Sequence, residues 1–373
     1  MSQAKRYHIL IINWQDIRNP YGGGAEVHLH EIFKRVAASG HRVTLLCSGF
    51  AGAPGHEQID GLEVVRKGSR NWFNYTVPAA YRALAAKNHF DVVVDDLNKI
   101  PFYTPWFVRE PILALVHHFF GKSIYRETNW PAASYVYYSE RLVPVVYRRT
   151  PFAAVSQSTA DELRRSGHES WIELLPNAVD MSQYRCDDGR KSPAPLIGYL
   201  GRLKRYKCVD HILLALPSLL RQRPDARILI IGGGDDRARL EQIVRERGLT
   251  DKVVFTGHVS QEEKVAYLNQ LWIAVNPSPK EGWGLTVIEA NACGVPVVAA
   301  DSPGLRDSVK DGRTGRLYPF GDIDRLSQTM ADFLSDPSLR AVCGREALAW
   351  ARTFTWEASA QKALTIIDKV VHT

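Results

Sequence analysis

Short apolar runs alternate with amphipathic stretches along most of this chain. Residues 7–13 (YHILIIN) form the first apolar run. The loop WQDIRNPYGGG then leads into AEVHLHEIFKRVAASG, an amphipathic stretch ending on Gly40, and a second apolar run, RVTLLCS, follows. Strand, glycine loop, helix and strand make a βαβ unit. The rhythm returns after residue 190, with LIGYLG (196–201), a basic loop, a helical stretch through Leu220 and ARILIIGGG (226–234). Strand-like runs follow at KVVF (252–255), WIAVNPS (272–278) and VPVVAAD (295–301), with helical stretches between them. This alternation predicts an α/β chain with parallel sheets covered by helices on both faces. RCDDGRKSPAP (185–195) is polar and carries Pro193 and Pro195, so it reads as a linker between two doubly wound halves. The last segment, FTWEASAQKALTIIDKVV, has helical periodicity and no strand after it. A helix placed there is expected to cross back onto the first half.

Length agrees with two halves, since 373 residues are too many for one comfortable core. Ligands of such folds sit at the C-terminal ends of the strands, so a cleft between facing halves is the expected site. With 45% hydrophobic and 23% charged residues, the composition is that of an ordinary soluble protein. No apolar run comes near the eighteen or so residues that a membrane helix needs, and Ile9–Ile12 is too short for a signal peptide. The five cysteines are odd in number and scattered without CxxC spacing, which argues against a zinc site and for a reducing, cytoplasmic setting. A net charge of +7 is spread over both halves, a mild attraction to anions and not a nucleic-acid footprint.

The candidate chemistry begins at KEGWGLTVIEANACG (280–294), where Glu281 precedes a Gly-Trp-Gly corner and Glu289 lies inside an apolar stretch. A buried carboxylate is costly unless something donates hydrogen bonds to it, and a hydroxyl-rich ligand would do so. A helix beginning near Leu285 would aim unpaired N–H groups at an anion, and Gly284 would let that anion approach the backbone. GRLKRYK (201–207) adds a basic loop after another strand, and PYGGGAE (20–26) places glycines before the first helix. LVHHFFG (115–121) ends a strand on paired histidines. The bland readings are a helix cap and an ion pair for the two acids, a surface loop for the basic run, a bare turn for the glycines and structural histidines.

In EGWGLTVIE and GRLKRYK the chain resembles the retaining glycosyltransferases of family GT4, and the resemblance runs over essentially its whole length. It implies the GT-B fold: two Rossmann-like doubly wound parallel-sheet domains facing a central cleft. Residues 1–185, with the C-terminal helix 355–373 packed back on them, would bind the acceptor. Residues 191–354 would bind a UDP- or GDP-sugar. Carried onto this sequence, the resemblance gives Glu281, His117, Arg202 and Lys207 as catalytic residues. Gly23, Gly24, Arg202, Lys207, Val259, Glu281, Gly284, Leu285, Thr286 and Glu289 would contact the donor. His117 is the better match to the family's histidine, and His118 remains a second candidate. No metal and no cofactor beyond the nucleotide sugar are implied, and VVDDL (93–97) is not evidence for a metal site. The expected acceptor is a glycan or lipid-linked intermediate of cell-surface polysaccharide synthesis.

Residues 102–149 interleave Trp106, Phe119, Tyr125, Trp130, Tyr135, Tyr138 and other aromatics with Arg109, Lys122, Arg126, Arg141, Arg148 and Arg149. That mixture favours a lipid diphosphate or a membrane interface, as peripheral contact with an anionic membrane at the inner face of the cell membrane, and its bland reading is a domain face plus ordinary core aromatics. Three rivals remain. An NAD-dependent oxidoreductase would show a G-x-G-x-x-G fingerprint and an acid ending the second strand, where this chain has Cys47-Ser48-Gly49. A GT-B sugar-nucleotide epimerase would need no acceptor groove. A sugar-binding module without catalysis would have no need of Glu281, Arg202 and Lys207 together.

Overall fold

The computed structural model of the chain describes residues 5–98 and 100–373, with the side chain of Arg126 outside the description. It divides into two compact units, residues up to Asn177 together with Trp356–Thr373, and Ala178–Thr355. In the first, strands β1 (His8–Ile12), β2 (Arg42–Gly49), β3 (His56–Ile59), β4 (Leu62–Ser69), β5 (Val92–Leu97), β6 (Ile112–Val116), β7 (Phe152–Ala154) and β8 (Ile172–Leu174) form one sheet. Its helices are α1 (Gly24–Ala38), α2 (Phe73–Ala85), α3 (Trp130–Val146) and α4 (Gln157–Arg165). The second unit has strands β9 (Leu196–Leu200), β10 (Arg227–Ile231), β11 (Val253–Gly257), β12 (Ile273–Asn276), β13 (Val297–Ala300) and β14 (Gly315–Tyr318). Around them lie α5 (Asp210–Gln222), α6 (Arg237–Glu246), α7 (Gln261–Gln270), α8 (Leu285–Ala292), α9 (Leu305–Ser308), α10 (Ile323–Ser335) and α11 (Pro337–Ala351).

The second sheet runs β11-β10-β9-β12-β13-β14 and is parallel throughout. The order therefore reverses between β9 and β12, whose register pairs Ile197 with Ile273. Loops that leave a parallel sheet on either side of such a reversal diverge and open a crevice, so the ends of β9 and β12 are where a ligand fits. The first sheet runs β3-β4-β2-β1-β5-β6-β7-β8 and reverses between β1 and β5. Strands buried on both faces read as unbroken apolar runs, and Ile9, Leu10, Ile11 and Ile12 are fully buried. One strand departs from the parallel pattern. β3 pairs antiparallel with β4 through a hairpin whose turn residues Asp60 and Gly61 have φ of 49° and 86°. An Asp-Gly pair accepts positive φ at both turn positions, but HEQI offers no apolar run to mark the strand beside it.

The polar stretch 185–195 differs from the expected linker, because the chain enters the second unit at Ala178 and the stretch is fastened to that unit. Asn269 accepts the Asp187 N–H at 2.7 Å and donates to the Arg185 carbonyl at 2.9 Å. Lys191 donates to the Leu271 carbonyl at 2.9 Å, and Ser192 N–H to Gln270 at 3.0 Å. Helix α12 (Trp356–Val371) belongs to the first unit and buries Ala360, Ala363, Ile366 and Ile367 there. Each isoleucine contributes about 1.5–3 kcal/mol by leaving water. Lys362 and Lys369 also reach Glu173 at 2.8 and 3.2 Å.

Candidate active site

Both reversal points collect polar side chains, and each is described within its own unit. In the second unit, β9 ends at Leu200 and the chain turns through Gly201 (φ 150°) and Arg202 to Lys207 before α5. The loop after β10 packs against this turn backbone to backbone. A Cβ on Gly232 would lie 2.1 Å from the Gly201 carbonyl oxygen, and one on Gly234 would lie 2.2 Å from that of Leu203. These glycines are required by packing, which gives IIGGGDD a structural reason of its own. Leu203 N–H donates to the Gly233 carbonyl at 2.9 Å and closes the contact.

Glu281 stands in the loop between β12 and α8, its N–H donating to the Pro303 carbonyl at 3.0 Å. Gly304 allows that loop to pass, since a Cβ there would meet the Glu281 carbonyl oxygen at 2.2 Å. Both Glu281 carboxylate oxygens lie 2.6 Å from Nζ of Lys207, with the two side chains 16% and 14% exposed. The loops after β9 and β12 are thus joined by a carboxylate–ammonium pair across the reversal point. Burial pulls the Lys207 ammonium toward its neutral form, but the Glu281 charge and hydrogen bond outweigh that pull and its pKa is raised. Lys207 therefore carries its charge with one anion already beside it.

Helix α8 starts from Gly284, held at φ 86° with its Cβ position 2.6 Å from Oγ of Ser308. The N–H groups of Val287 and Ile288 return to the Gly284 carbonyl, whereas those of Leu285 and Thr286 meet no acceptor among the described residues. Such a helix start offers donors and a partial positive charge to an anion. Arg202 is exposed, and its guanidinium has no ion pair among the described residues. Lys204 pairs with Asp235 at 2.6 Å, and Arg205 is exposed. Val259 is half-buried in the turn from β11 to α7.

Glu289 has partners that sequence reasoning missed. It accepts from the Tyr184 hydroxyl at 2.6 Å and from Lys264 at 2.5 Å, both at Oε1. Burial and this carboxylate together raise the Tyr184 pKa. A carboxylate has about four acceptor positions, so Glu289 keeps capacity for further hydroxyl donors.

In the first unit, Gly23 caps α1 in an extended conformation, and a Cβ on Gly24 would meet nothing within 4 Å. Glu26, buried in the first helical turn, accepts the Gly23 N–H at 2.7 Å and Asn98 Nδ2 at 2.9 Å. The chain thus supplies a carboxylate of its own at this helix start. His117 follows β6 and is 6% exposed, its Nε2 lying 3.1 Å from Oδ1 of Asp96 on β5. The ring of His28 meets it edge-on with centroids 5.2 Å apart. Burial and the neighbouring His117 push the His28 pKa well down. His118 is half-buried against Phe120. Of the VVDDL acids, Asp95 accepts from Thr104 and Tyr147 at 2.5 and 2.6 Å, while Asp96 faces His117. A sequence signal for these partners existed only in two acids interrupting an apolar strand.

The comparisons with known proteins can be set beside this geometry. The family model described as Glycosyltransferase Family 4 matches residues 22–183, and that described as Glycosyl transferases group 1 matches residues 180–350. The chain belongs to the GT4-type glycosyltransferases. Among curated relatives, a GDP-mannose-dependent alpha-(1-6)-phosphatidylinositol monomannoside mannosyltransferase of Mycolicibacterium smegmatis is 32% identical over 201 residues, 50% of this chain and 53% of the relative. A D-inositol 3-phosphate glycosyltransferase of Streptomyces avermitilis is 32% identical over 227 residues, 56% of this chain and 49% of the relative. The matches thus span about half the length of these relatives. In fold, this GT4-type chain is similar to sucrose-phosphate synthase from Thermosynechococcus elongatus, with a TM-score of 0.82 at 21% identity over 98% of this chain and 99% of that one. Anabaena HepE in complex with UDP and glucose gives a TM-score of 0.76 at 18% identity over 98% and 100%. The fold is GT-B.

Proposed function

We propose that this chain transfers a sugar from a UDP- or GDP-sugar to a hydroxyl of a glycan or lipid-linked acceptor, keeping the donor's anomeric configuration. The observation that carries the proposal is the Lys207–Glu281 pair beside the unfilled N–H groups of Leu285 and Thr286, at the reversal point of the second sheet. A diphosphate gains negative charge as its bond to the sugar breaks. Arg202, Lys207 and the α8 N-terminus would therefore stabilise the transition state more than the bound donor. Cations and a helix start so arranged perform the charge neutralisation, and the reading assigns no metal or cofactor to the step.

Glu281 is unsuited to act as a nucleophile under this reading, because its carboxylate is held by Lys207 and its place beside the helix start suits a hydrogen bond to a sugar hydroxyl. The acceptor then attacks on the face the diphosphate leaves, and the departing phosphate oxygen takes the acceptor's proton. His117 would complete the catalytic group in the first unit, with Gly23 and Gly24 near the donor. The relatives named for phosphatidylinositol mannoside and inositol phosphate support a polyol or lipid-linked acceptor, and the complexes with UDP support a nucleotide donor. The route proposed is cell-surface polysaccharide or glycolipid synthesis at the cytoplasmic side of the membrane.

A melting-temperature panel of nucleotide sugars tests the donor, since a ligand at 100 times its Kd adds about 2.7 kcal/mol. One donor should stand out. With that donor, Glu281→Gln should retain slowed transfer with retained configuration by NMR. An inverted product, or a sugar covalently trapped on Glu281, overturns the mechanism, and a flat panel overturns the function.

A further inference from the structure

Helix α3 is built inside out. Its seventeen residues contain one carboxylate, Glu140, and that side chain is turned inward to accept the N–H groups of Phe120 and Gly121 at 2.7 and 2.8 Å. Ser139 is buried beside it. Outward face Trp130 (72% exposed), Tyr135 (44%), Tyr138 (64%), Leu142 (46%) and Val145 (71%). At 3.6 residues per turn these positions, with Pro131, Ser134 and Arg141, fill an arc of roughly 140° that holds no acid. An ordinary surface helix presents the opposite distribution.

The apolar face extends beyond the helix. The Tyr135 hydroxyl is 3.0 Å from both the Tyr75 hydroxyl and Asn74 Nδ2, and Tyr75 packs on Trp72, which is 65% exposed. On another side of α3 the Tyr103 hydroxyl donates to the Ser139 carbonyl, and Tyr103 stacks on Trp106, which is 68% exposed. Three exposed indoles are thus carried by α3 or reach it through the hydrogen bonds of Tyr75 and Tyr103. Buried aromatics of the same segment, Phe102 and Tyr147, belong to the core. The charged groups beside the exposed set are mostly cations. Arg141 lies within the arc and donates to the Tyr137 hydroxyl at 3.0 Å. Lys122 sits in the turn 121–126, and Arg149 follows the C-terminal end of the helix, both exposed.

We propose that this face is a membrane-docking surface that seats the first unit on anionic lipid headgroups, with α3 lying along the bilayer plane. Trp and Tyr favour the boundary between headgroups and acyl chains because one side of the ring is apolar and the other carries a hydrogen-bond donor. An inward acid and outward arginine match the negative surface of an anionic leaflet. Among the described residues no helix is long and apolar enough to cross a membrane, so this contact is peripheral. The inference goes beyond the sugar transfer proposed above and stands without it.

Flotation of the whole chain on vesicles tests it. The protein should float with vesicles rich in phosphatidylglycerol at low salt, bind phosphatidylcholine vesicles far less, and shift its tryptophan emission to the blue on binding. Replacing Trp130, Tyr138 and Val145 together by Ser should lower partition by roughly a hundredfold. Arg141→Ala should lower it by about fivefold, an effect removed by salt. All are surface changes, and an unchanged melting temperature and donor-induced shift will show that the fold and donor binding survive. Absence of flotation on anionic vesicles overturns the proposal even where transfer to a soluble acceptor is intact. Two other outcomes overturn it: a concentration-dependent dimer that the triple variant abolishes, or binding of the wild type to a soluble glycan in place of vesicles.

Discussion

The strand-end loops of the two units are held by different forces. In the second unit, the turns after β9 and β10 meet through main-chain atoms at Gly232 and Gly234, and the loops after β9 and β12 are joined by the Lys207–Glu281 ion pair. In the first unit, the corresponding ends of β1 and β5 are joined by buried side chains. Asn98 bonds Glu26 and Asn13, Asp95 accepts from Tyr147 and Thr104, and Asp96 lies 3.1 Å from His117. Backbone packing fixes a loop without needing every charged side chain it carries, and Arg202 has no ion pair among the described residues. Side-chain packing fixes a loop by spending its acids on internal partners. The second arrangement is the more sensitive to protonation, and the first to any added atom.

The largest effect expected follows from that added atom. Gly232→Ala would force a Cβ to within 2.1 Å of the Gly201 oxygen at φ 130°. The cost is on the order of 4 kcal/mol, combining strain and overpacking. Gly24→Ala in the first unit meets open space and should change stability by less than ~0.5 kcal/mol while lowering transfer. Urea denaturation of the two variants measures the contrast. Equal stabilities would show that the β10 turn relaxes freely.

Removing the cations comes next. Arg202→Ala should reduce turnover by roughly 10²–10³-fold at saturating donor, about 3–4 kcal/mol, with no change in melting temperature. Lys207→Ala should cost as much in turnover and also about 1–3 kcal/mol of stability, because Glu281 loses its partner in a mostly buried place. A loss of only a fewfold in either would reduce these residues to surface charge.

The same contrast governs what could be read from the sequence. The strand and helix rhythm was legible because parallel strands buried on both faces leave apolar runs, and the EGWGLTVIE stretch because glycines at a strand-to-helix corner are conspicuous. Strands β3, β7, β8 and β14 were not legible: HEQI, FAA, IEL and GRLY are too short or too polar for periodicity to register. The partners of the site acids were hidden by distance along the chain. Tyr184 lies 105 positions before Glu289, and Lys264 sits in a helix, QEEKVAYLNQ, that looks solvated throughout. The polar run 185–195 misled because its carbonyls and amides are met by residues 269–271 and not by water.

Protonation sharpens the comparison from the side of the first unit. Burial, against the hydrogen bonds of Thr104 and Tyr147, raises the Asp95 pKa from 3.8 to about 6. Near pH 5 the folded chain keeps a proton that the unfolded chain has lost. Stability from this group therefore falls as pH rises from about 4 to about 6 and is level above, with a total change on the order of 2–3 kcal/mol. Asp95→Asn should flatten that part of the profile, so the variant gains on the wild type between pH 4.5 and 7.5 in denaturant midpoints. A parallel pair of profiles would place the titrating proton elsewhere.

The smallest effect concerns how each unit is closed. The second unit is one continuous stretch of chain, whereas the first is completed by α12 from the far end. Apolar burial of Ile366 and Ile367 supplies most of that attachment, and the pairs from Lys362 and Lys369 to Glu173 supply the remainder. Hydrogen bonds from the two lysines lower the Glu173 pKa, so their contribution is present above the ordinary glutamate range and lost as pH falls below it. All three side chains are partly exposed, and screening limits the pairs to about 0.5–1 kcal/mol. Glu173→Gln should thus speed amide hydrogen exchange in α12 by a few-fold at neutral pH and low salt, while α5 and α10 in the second unit keep their protection. At high salt the difference between variant and wild type should vanish. An equal loss of protection in both units would mean that α12 melts only with the whole molecule, and the two units would then unfold as one.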